Sequence, residues 1–290
     1  MEKYMIELFL GGVIVTSIGA YAFFNCSNLK TIEFASDSKL ETIGKYSFSS
    51  TLIENVKIPS SVTLIDKYAF FNCSNLKTIE FASDPKLETI GKNSFSSTLI
   101  ENVKIPSSVT LIDEYAFFAC SNLIAVDIPI NSKLNIIRKF SFSLFLAPPN
   151  KVIAAYVLKF FNYTNNGGIT SIRIPSSVTK IEEYAFYGWS KLTTIEIPSD
   201  SKLKTIEKHS FSYTMIETIE LPSQLTYIDP LSFDNCPNLK KVIYSSDSQY
   251  QKIGKEPFNQ EDGKIVFEII KLKLLLKKYN SYQTIVYLIY

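Results

Sequence analysis

The chain has 290 residues, 46% of them hydrophobic and 20% charged, with a formal net charge of +2. That supplies apolar material for one large domain or two ordinary ones. The balanced charge leaves no general electrostatic case for a nucleic acid or an anionic membrane as partner.

The N-terminal stretch MEKYMIELFLGGVIV has a basic residue and a short apolar run. Glu7 interrupts the run and no small-residue cleavage site follows, so the stretch reads as a flank rather than a signal peptide. Ile6 and Phe9 fall where Ile53 and Val56 fall in a later unit, with Gly11-Gly12 in place of an Ile-Pro. Residues 1–22 are therefore taken as an N-terminal flank and partial first coil.

From Phe23 the organisation is explicit. The segment from Phe23 to Ala69 recurs from Phe70 to Ala116 with three differences, Ser38/Pro85, Tyr46/Asn93 and Lys67/Glu114. Aligning on an Ala-Phe or Ser-Phe pair reveals a shorter unit. Its markers are Phe23, Phe48, Phe70, Phe95, Phe117 and Phe142, then Phe186, Phe211, Phe233 and Phe258, with spacings that alternate between 25 and 22. Each unit has a strand-like piece such as LKTIEF (29–34) or IENVKI (53–58). The last residues of that piece alternate apolar and polar, as in a half-buried strand. A Pro-Ser-Ser-Val or Ser-Asp-Ser-Lys-Leu turn follows, then Ile-Gly or Ile-Asp, then the Phe bend. No helical run fits inside a unit, so the return segment is expected to be short and irregular. One coil alone cannot bury its Leu, Ile and Phe, whereas stacked coils share one apolar column. About ten coils at ~4.8 Å per parallel strand give a rod on the order of 50 Å long.

The step from Phe142 to Phe186 is 44 residues, room for about one extra coil. Within Ser143–Gly168, AAYVLKFFNYTNN echoes AYAFFNCSN. The segment reads as a degenerate coil with a bulging loop, in preference to an inserted functional loop. After Phe258 the pattern stops. Phe267–Lys278 has the pattern of an amphipathic helix able to cover the last coil, and residues 261–290 are taken as a C-terminal cap or tail. Lysines break KIVFEIIKLKLLLKK and TIVYLIY is short, so neither reaches the ~20 apolar residues of a membrane span.

Few residues carry chemistry. Cys26, Cys73, Cys120 and Cys236 share one repeat slot, filled elsewhere by Thr51, Thr98, Thr214 and Trp189. The first three are two coils, roughly 10 Å, apart, beyond the ~7 Å Cα separation a disulfide tolerates. They are expected to be free, buried thiols packing like small apolar groups, without the paired spacing of a metal site. His209, the only histidine, reads as a surface substitution where Tyr21 and Tyr46 stand in other coils. No nucleophile elbow, zinc-protease, P-loop or dinucleotide fingerprint is present, so no enzyme and no cofactor are expected. Asn25, Asn72 and Asn162 open glycosylation acceptor triplets. The first two have a middle Cys expected to be buried, which leaves Asn162 as the candidate.

The outward strand positions carry the candidate binding residues. One column reads Glu33, Lys57, Glu80, Lys104, Asp127, then Arg173, Glu196, Glu220; its neighbour reads Thr31, Asn55, Thr78, Asn102, Ala125, then Ser171, Thr194, Thr218. Alternating signs along the first five strands support stacking at ~0.2–1 kcal/mol per exposed pair. Glu196 beside Glu220 departs from that rule. The face from Arg173 to Glu220, with Thr194 and Thr218, is accordingly the expected partner-binding surface.

The recurring motifs are AFFNCSNL (22–29, 69–76), AFFACSNL (116–123), SFDNCPNL (232–239), IPSSVTLI (58–65, 105–112) and IPSSVTKI (174–181). They resemble the BspA-like leucine-rich repeat family, whose marks are AFxxCxxL, LxxIxIP and PSSVxxI, over about Ile6 to Phe258. The resemblance implies a leucine-rich repeat solenoid over 23–260, mainly β. Short parallel strands would form the concave face, and irregular or short 3-10 turns the convex face. It also implies a non-catalytic, adhesin-like protein at the cell surface or secreted, binding a protein or glycan. An intracellular scaffold for protein-protein interaction is the alternative.

Overall fold

A computed structural model describes residues 15–35, 37–144, 168–245 and 266–270. Among them there is no helix. The chain winds as a parallel β-solenoid, and two ladders run along it.

The first ladder is a sheet of nine two-residue strands, one per coil, from Ser17–Ile18 and Thr42–Ile43 to Thr205–Ile206 and Tyr227–Ile228. Each pairs in parallel with the next, so that Ile43 meets Ile65 and Ile65 meets Ile90. The return segment is short and mostly turns, as expected, and the two-residue ladder is an addition to that reading. Two residues are too few to display a strand period, and the ladder is legible only in the recurrence of Thr-Ile and Leu-Ile across coils. Among the described residues this ladder holds nine coils.

The second ladder has longer strands and is broken once. Asn55–Ile58, Thr78–Phe81, Asn102–Lys104 and Ala125–Asp127 form a four-stranded parallel sheet, to which Thr31 adds a bridge. Ser171–Arg173, Thr194–Glu196, Thr218–Leu221, Lys241–Ser245 and Val266–Ile270 form a five-stranded one. Burial alternates as the sequence predicts: Asn55 and Lys57 are exposed, Val56 and Ile58 buried. Val266–Ile270 corrects the C-terminal reading. These residues extend the sheet, pairing with Lys241–Ser245, instead of opening a helix. Continued pairing satisfies the backbone of the preceding strand, which otherwise ends as an open edge.

At the bend, each marker phenylalanine stacks on the next. Ring centroids are 5.1 Å apart for Phe23 and Phe48 and 5.7 Å for Phe142 and Phe186, and the rings are nearly parallel. All from Phe48 to Phe233 are buried. The bend backbone is a third hydrogen-bonded rail: Tyr46, Phe48 and Ser50 N–H groups donate to Lys67, Ala69 and Phe71 carbonyls in the next coil. To aim these groups, residues on either side of the phenylalanine take positive φ, for instance 54° at Tyr46 and 59° at Ser50. A non-glycine residue there costs about 1 kcal/mol or more. The inter-coil bonds and ring stacking offset it.

The Phe142 and Phe186 coils are direct neighbours. Besides the ring stack, Ile137 pairs with Ile181, and Phe142 N–H donates to Ala185 O at 3.1 Å. The degenerate-coil reading of Ser143–Gly168 concerns the chain between these two coils. The additional residues, 145–167, lie outside the described residues.

Candidate functional site

The strand register builds two outward columns on the second ladder. Lys57 is in register with Glu80, and Lys104 with Asp127. Beyond the break Arg173 is in register with Glu196, and Thr194 with Thr218, which places Glu220 next along. Glu33, Lys57, Glu80, Lys104, Asp127, Glu196 and Glu220 are exposed, and Arg173 is half-buried. In the second column Asn55, Thr78, Asn102, Ala125, Ser171, Thr194 and Thr218 are exposed and Thr31 is half-buried. The Thr78 hydroxyl donates to Asn55 Oδ1.

Charge use along the column is uneven. Among the described residues its one ion pair is Arg173 with Glu196, at 3.4 Å. Between Asp127 and Arg173 the strand pairing is interrupted, although the two strands remain neighbours.

The cysteine slot is more specific than a small apolar position. Cys73 donates to Phe48 O at 3.1 Å, Cys120 to Phe95 O at 3.3 Å and Cys236 to Phe211 O at 3.2 Å, each in the preceding coil. Trp189 Nε1 does the same to Phe142 O at 2.6 Å. Threonines in the slot donate to their own coil, as Thr51 does to Phe48 O at 2.8 Å. All four cysteines are free. Burial raises the thiol pKa of Cys73, and that of Cys120 and Cys236 to about 11, so these thiols stay protonated and unreactive at neutral pH. Cys26 departs from the expectation. It is exposed, because no coil among the described residues covers its outer side.

His209 is also corrected. It is half-buried, its ring stacked on Tyr184 at 5.0 Å. Nδ1 lies 3.0 Å from Ser212 Oγ, whose own proton goes to Leu231 O at 2.9 Å. Nδ1 is therefore the donor. Burial lowers the pKa from its ordinary 6.5, while Asp234, 4.0 Å away, opposes that shift.

Sequence reasoning missed what surrounds His209. Tyr21, Tyr46 and Tyr68 stack in one run with centroids 5.0 and 4.5 Å apart. Tyr115, Phe140, Tyr184 and His209 form a second run. Asn93 is the gap between them. Lysines lie against these rings: Lys45 Nζ is 5.4 Å from the Tyr46 centroid and Lys92 Nζ 5.7 Å from that of Tyr115. The aromatic that recurs two residues before most of the marker phenylalanines was the available signal.

Asn25 and Asn72 are exposed, so the buried-cysteine argument against their access does not hold. Asn162 lies outside the described residues. Among the described residues no cluster of His, Cys, Asp and Glu could hold a metal ion, and no helix is long and apolar enough to cross a membrane.

Comparison with solved structures supports the fold. A leucine-rich repeat protein from Bacteroides ovatus superposes with a TM-score of 0.62 at 24% identity, covering 88% of this chain and 66% of that one. The chain thus spans just under two thirds of that structure's length. A leucine rich cell surface protein from Faecalibacterium prausnitzii is 18% identical, with 93% and 81% of the two chains covered and a TM-score of 0.41. The pneumococcal vaccine antigen PcpA is 19% identical, with 80% and 60% covered and a TM-score of 0.45. No curated protein matches the chain. The BspA type leucine rich repeat region matches in six copies, over residues 12–124, 41–146 and 158–274. With most of its length so matched, and with parallel coils stacked on a phenylalanine column, the chain belongs to the BspA-type leucine-rich repeat family.

Proposed function

We propose that the chain is a non-catalytic recognition protein of adhesin-like type, exposed at the cell surface or secreted, and that it binds a protein or glycan. The repeat family implies a protein-interaction module and is generally non-catalytic. A rigid array whose outward side chains vary without disturbing the core suits that role. One observation carries the placement of the binding face. Past the break in the sheet, sign alternation ends: Arg173 is matched by Glu196, and Glu220 follows in register with Ile243 rather than with a cation. Stacking alone does not account for adjacent exposed acids, which repel. The reading therefore assigns Arg173, Thr194, Glu196, Thr218 and Glu220 to a partner with a basic contact region.

The test is a screen of matrix proteins and glycans with the parent chain and with Glu196→Lys/Glu220→Lys. Weakened binding by the variant supports the face, and unchanged binding removes it. Location is tested separately by protease shaving of intact cells. The second reading, an intracellular scaffold, is favoured by the four free cysteines, three of them buried. Protection of the chain until lysis would establish that reading instead.

A further inference from the structure

The bridge at Thr31 and the strands Asn55–Ile58, Thr78–Phe81 and Asn102–Lys104 carry an alternating charge pattern that closes no ion pair among the described residues. Glu33, Lys57, Glu80 and Lys104 alternate along one outward column, and all are exposed. At the start of the same strands Lys30, Glu54, Lys77 and Glu101 alternate in the opposite sense, again exposed. Register sets Lys57 beside Glu80. Yet among the described residues none of these eight forms an ion pair, whereas charges on the bend side do, as in Lys92 with Glu114 and Lys139 with Glu183, both at 2.7 Å. Between the charged columns lies a row of small polar groups, Thr31, Asn55, Thr78 and Asn102.

We propose that this face binds a second copy of the chain, antiparallel, about a two-fold axis lying along the strands between Asn55–Ile58 and Thr78–Phe81. A two-fold interface must be complementary to itself, and this one is. Strand one meets strand four and strand two meets strand three. Lys57 then faces Glu80 of the other copy, Glu33 faces Lys104, Lys30 faces Glu101 and Glu54 faces Lys77. At the centre Asn55 faces Thr78, a donor-acceptor match. Each contact occurs twice. A parallel pairing of the rods is disfavoured, because it carries the match into the second half and sets Glu220 against Glu217.

The patch is four strands wide, below the ~800 Å² per partner typical of a stable complex. The association is accordingly weak, fast and salt-sensitive, suited to copies held at high local density. It rests on the register of the first sheet, independently of the partner-binding face past Arg173.

Sedimentation velocity over a concentration series at low and high salt tests it, with the full chain as the only component. The parent is expected to dimerise at low salt and to dissociate as salt rises. Lys57→Glu and Glu80→Lys each place like charges on the axis and should weaken self-association by ~10-fold or more. Mixing the two variants should restore it, since acid then meets base at both contacts. So should Lys57→Glu/Glu80→Lys in one chain, where the swapped pair still matches under the two-fold. A parent that stays monomeric at low salt overturns the proposal, as does undiminished dimerisation of both single variants. Failure of the mixture or of the double swap to restore association overturns this axis. Circular dichroism of each variant separates loss of association from loss of fold. None of these outcomes bears on the screen with Glu196→Lys/Glu220→Lys.

Discussion

Lys92 Nζ lies 2.7 Å from Glu114 Oε2, and between them in the chain stands Asn93, at the gap in the aromatic edge. Two of the three differences between the near-identical copies therefore converge on one place. Where the first copy has Tyr46, the second has Asn93. Where the first has Lys67, the second has Glu114, which pairs with Lys92. The bend here exchanges ring stacking for an ion pair, and both partners are more than a third exposed, which limits the pair to about 0–1 kcal/mol.

Asn93→Tyr should therefore stabilise the chain. Asn93 already has φ 54°, the same as Tyr46, so the backbone is set for a tyrosine. The new ring would stack on Tyr68 and Tyr115, at about 0.5–1.5 kcal/mol per aromatic pair. Asparagine tolerates this φ better than tyrosine, which reduces the net gain to about 1 kcal/mol. Thermal unfolding measures it. A lower midpoint would show that Asn93 is held for its conformation rather than as a gap in a stack.

A second prediction concerns the serine before the marker phenylalanine. Ser47, Ser94, Ser141, Ser210 and Ser232 are buried, and the hydroxyl of each lacks a hydrogen-bond partner among the described residues. Neighbouring coils have Ala69, Ala116 and Ala185 at this position, all buried. An unsatisfied buried hydroxyl costs about 1–3 kcal/mol, and the slot accommodates alanine. Ser94→Ala should raise Tm by about 2–4 °C per kcal/mol recovered. Thr98→Val is the contrast. Thr98 donates to Phe95 O at 2.9 Å and lies 3.3 Å from Cys120 Sγ, so its loss should lower Tm.

These sites show what was legible from sequence and what was not. The long strands were, because alternation over LKTIEF and IENVKI has the period of the structure, and so the columns holding Lys57, Glu80, Arg173 and Glu196 could be placed in advance. The two-residue ladder was not, because Thr42–Ile43 or Leu64–Ile65 shows no period by itself. Tyr46 and Tyr68 repeat as plainly as Phe48 and Phe70, but only the three-dimensional bend shows that they stack outside the core.

His209 gives the chain a pH dependence of predictable sign. Its folded pKa is lowered, chiefly by burial, so between the folded and the unfolded value the unfolded chain binds more protons. The stability contribution of neutral His209 is fully present above the ordinary 6.5 and is lost as pH falls through the folded pKa. Denaturant midpoints from pH 7.5 to about 5 should therefore decline. His209→Phe restores the ring type of Phe140 without a titrating group and should flatten the upper part of that decline. An unchanged decline in this variant would assign the pH dependence elsewhere.

The two-coil period makes a last prediction, about deletions. Joining Ala69 to Phe117 removes a 47-residue copy, Phe70 to Ala116. It leaves Lys57 next to Asp127 and Thr51 next to Cys120, so every alternation survives. Joining Ala69 to Phe95 removes one coil of 25 residues, Phe70 to Ser94. That sets Lys57 beside Lys104, Glu54 beside Glu101 and Thr51 beside Thr98, where no sulfur reaches back to the Phe48 carbonyl. Array stability is roughly a sum of coil and neighbour terms, so the longer deletion would be the worse one if only coil number mattered. Each like-charge neighbour costs about 0.2–1 kcal/mol, and the lost slot bond about 1 kcal/mol more. These interface losses are concentrated at one junction, where an array is prone to split. The 47-residue deletion should unfold in a single transition, and the 25-residue deletion should show a broader or split one, by circular dichroism and calorimetry together. A single sharp transition in both would mean that the alternation of charge and slot is incidental to the stack.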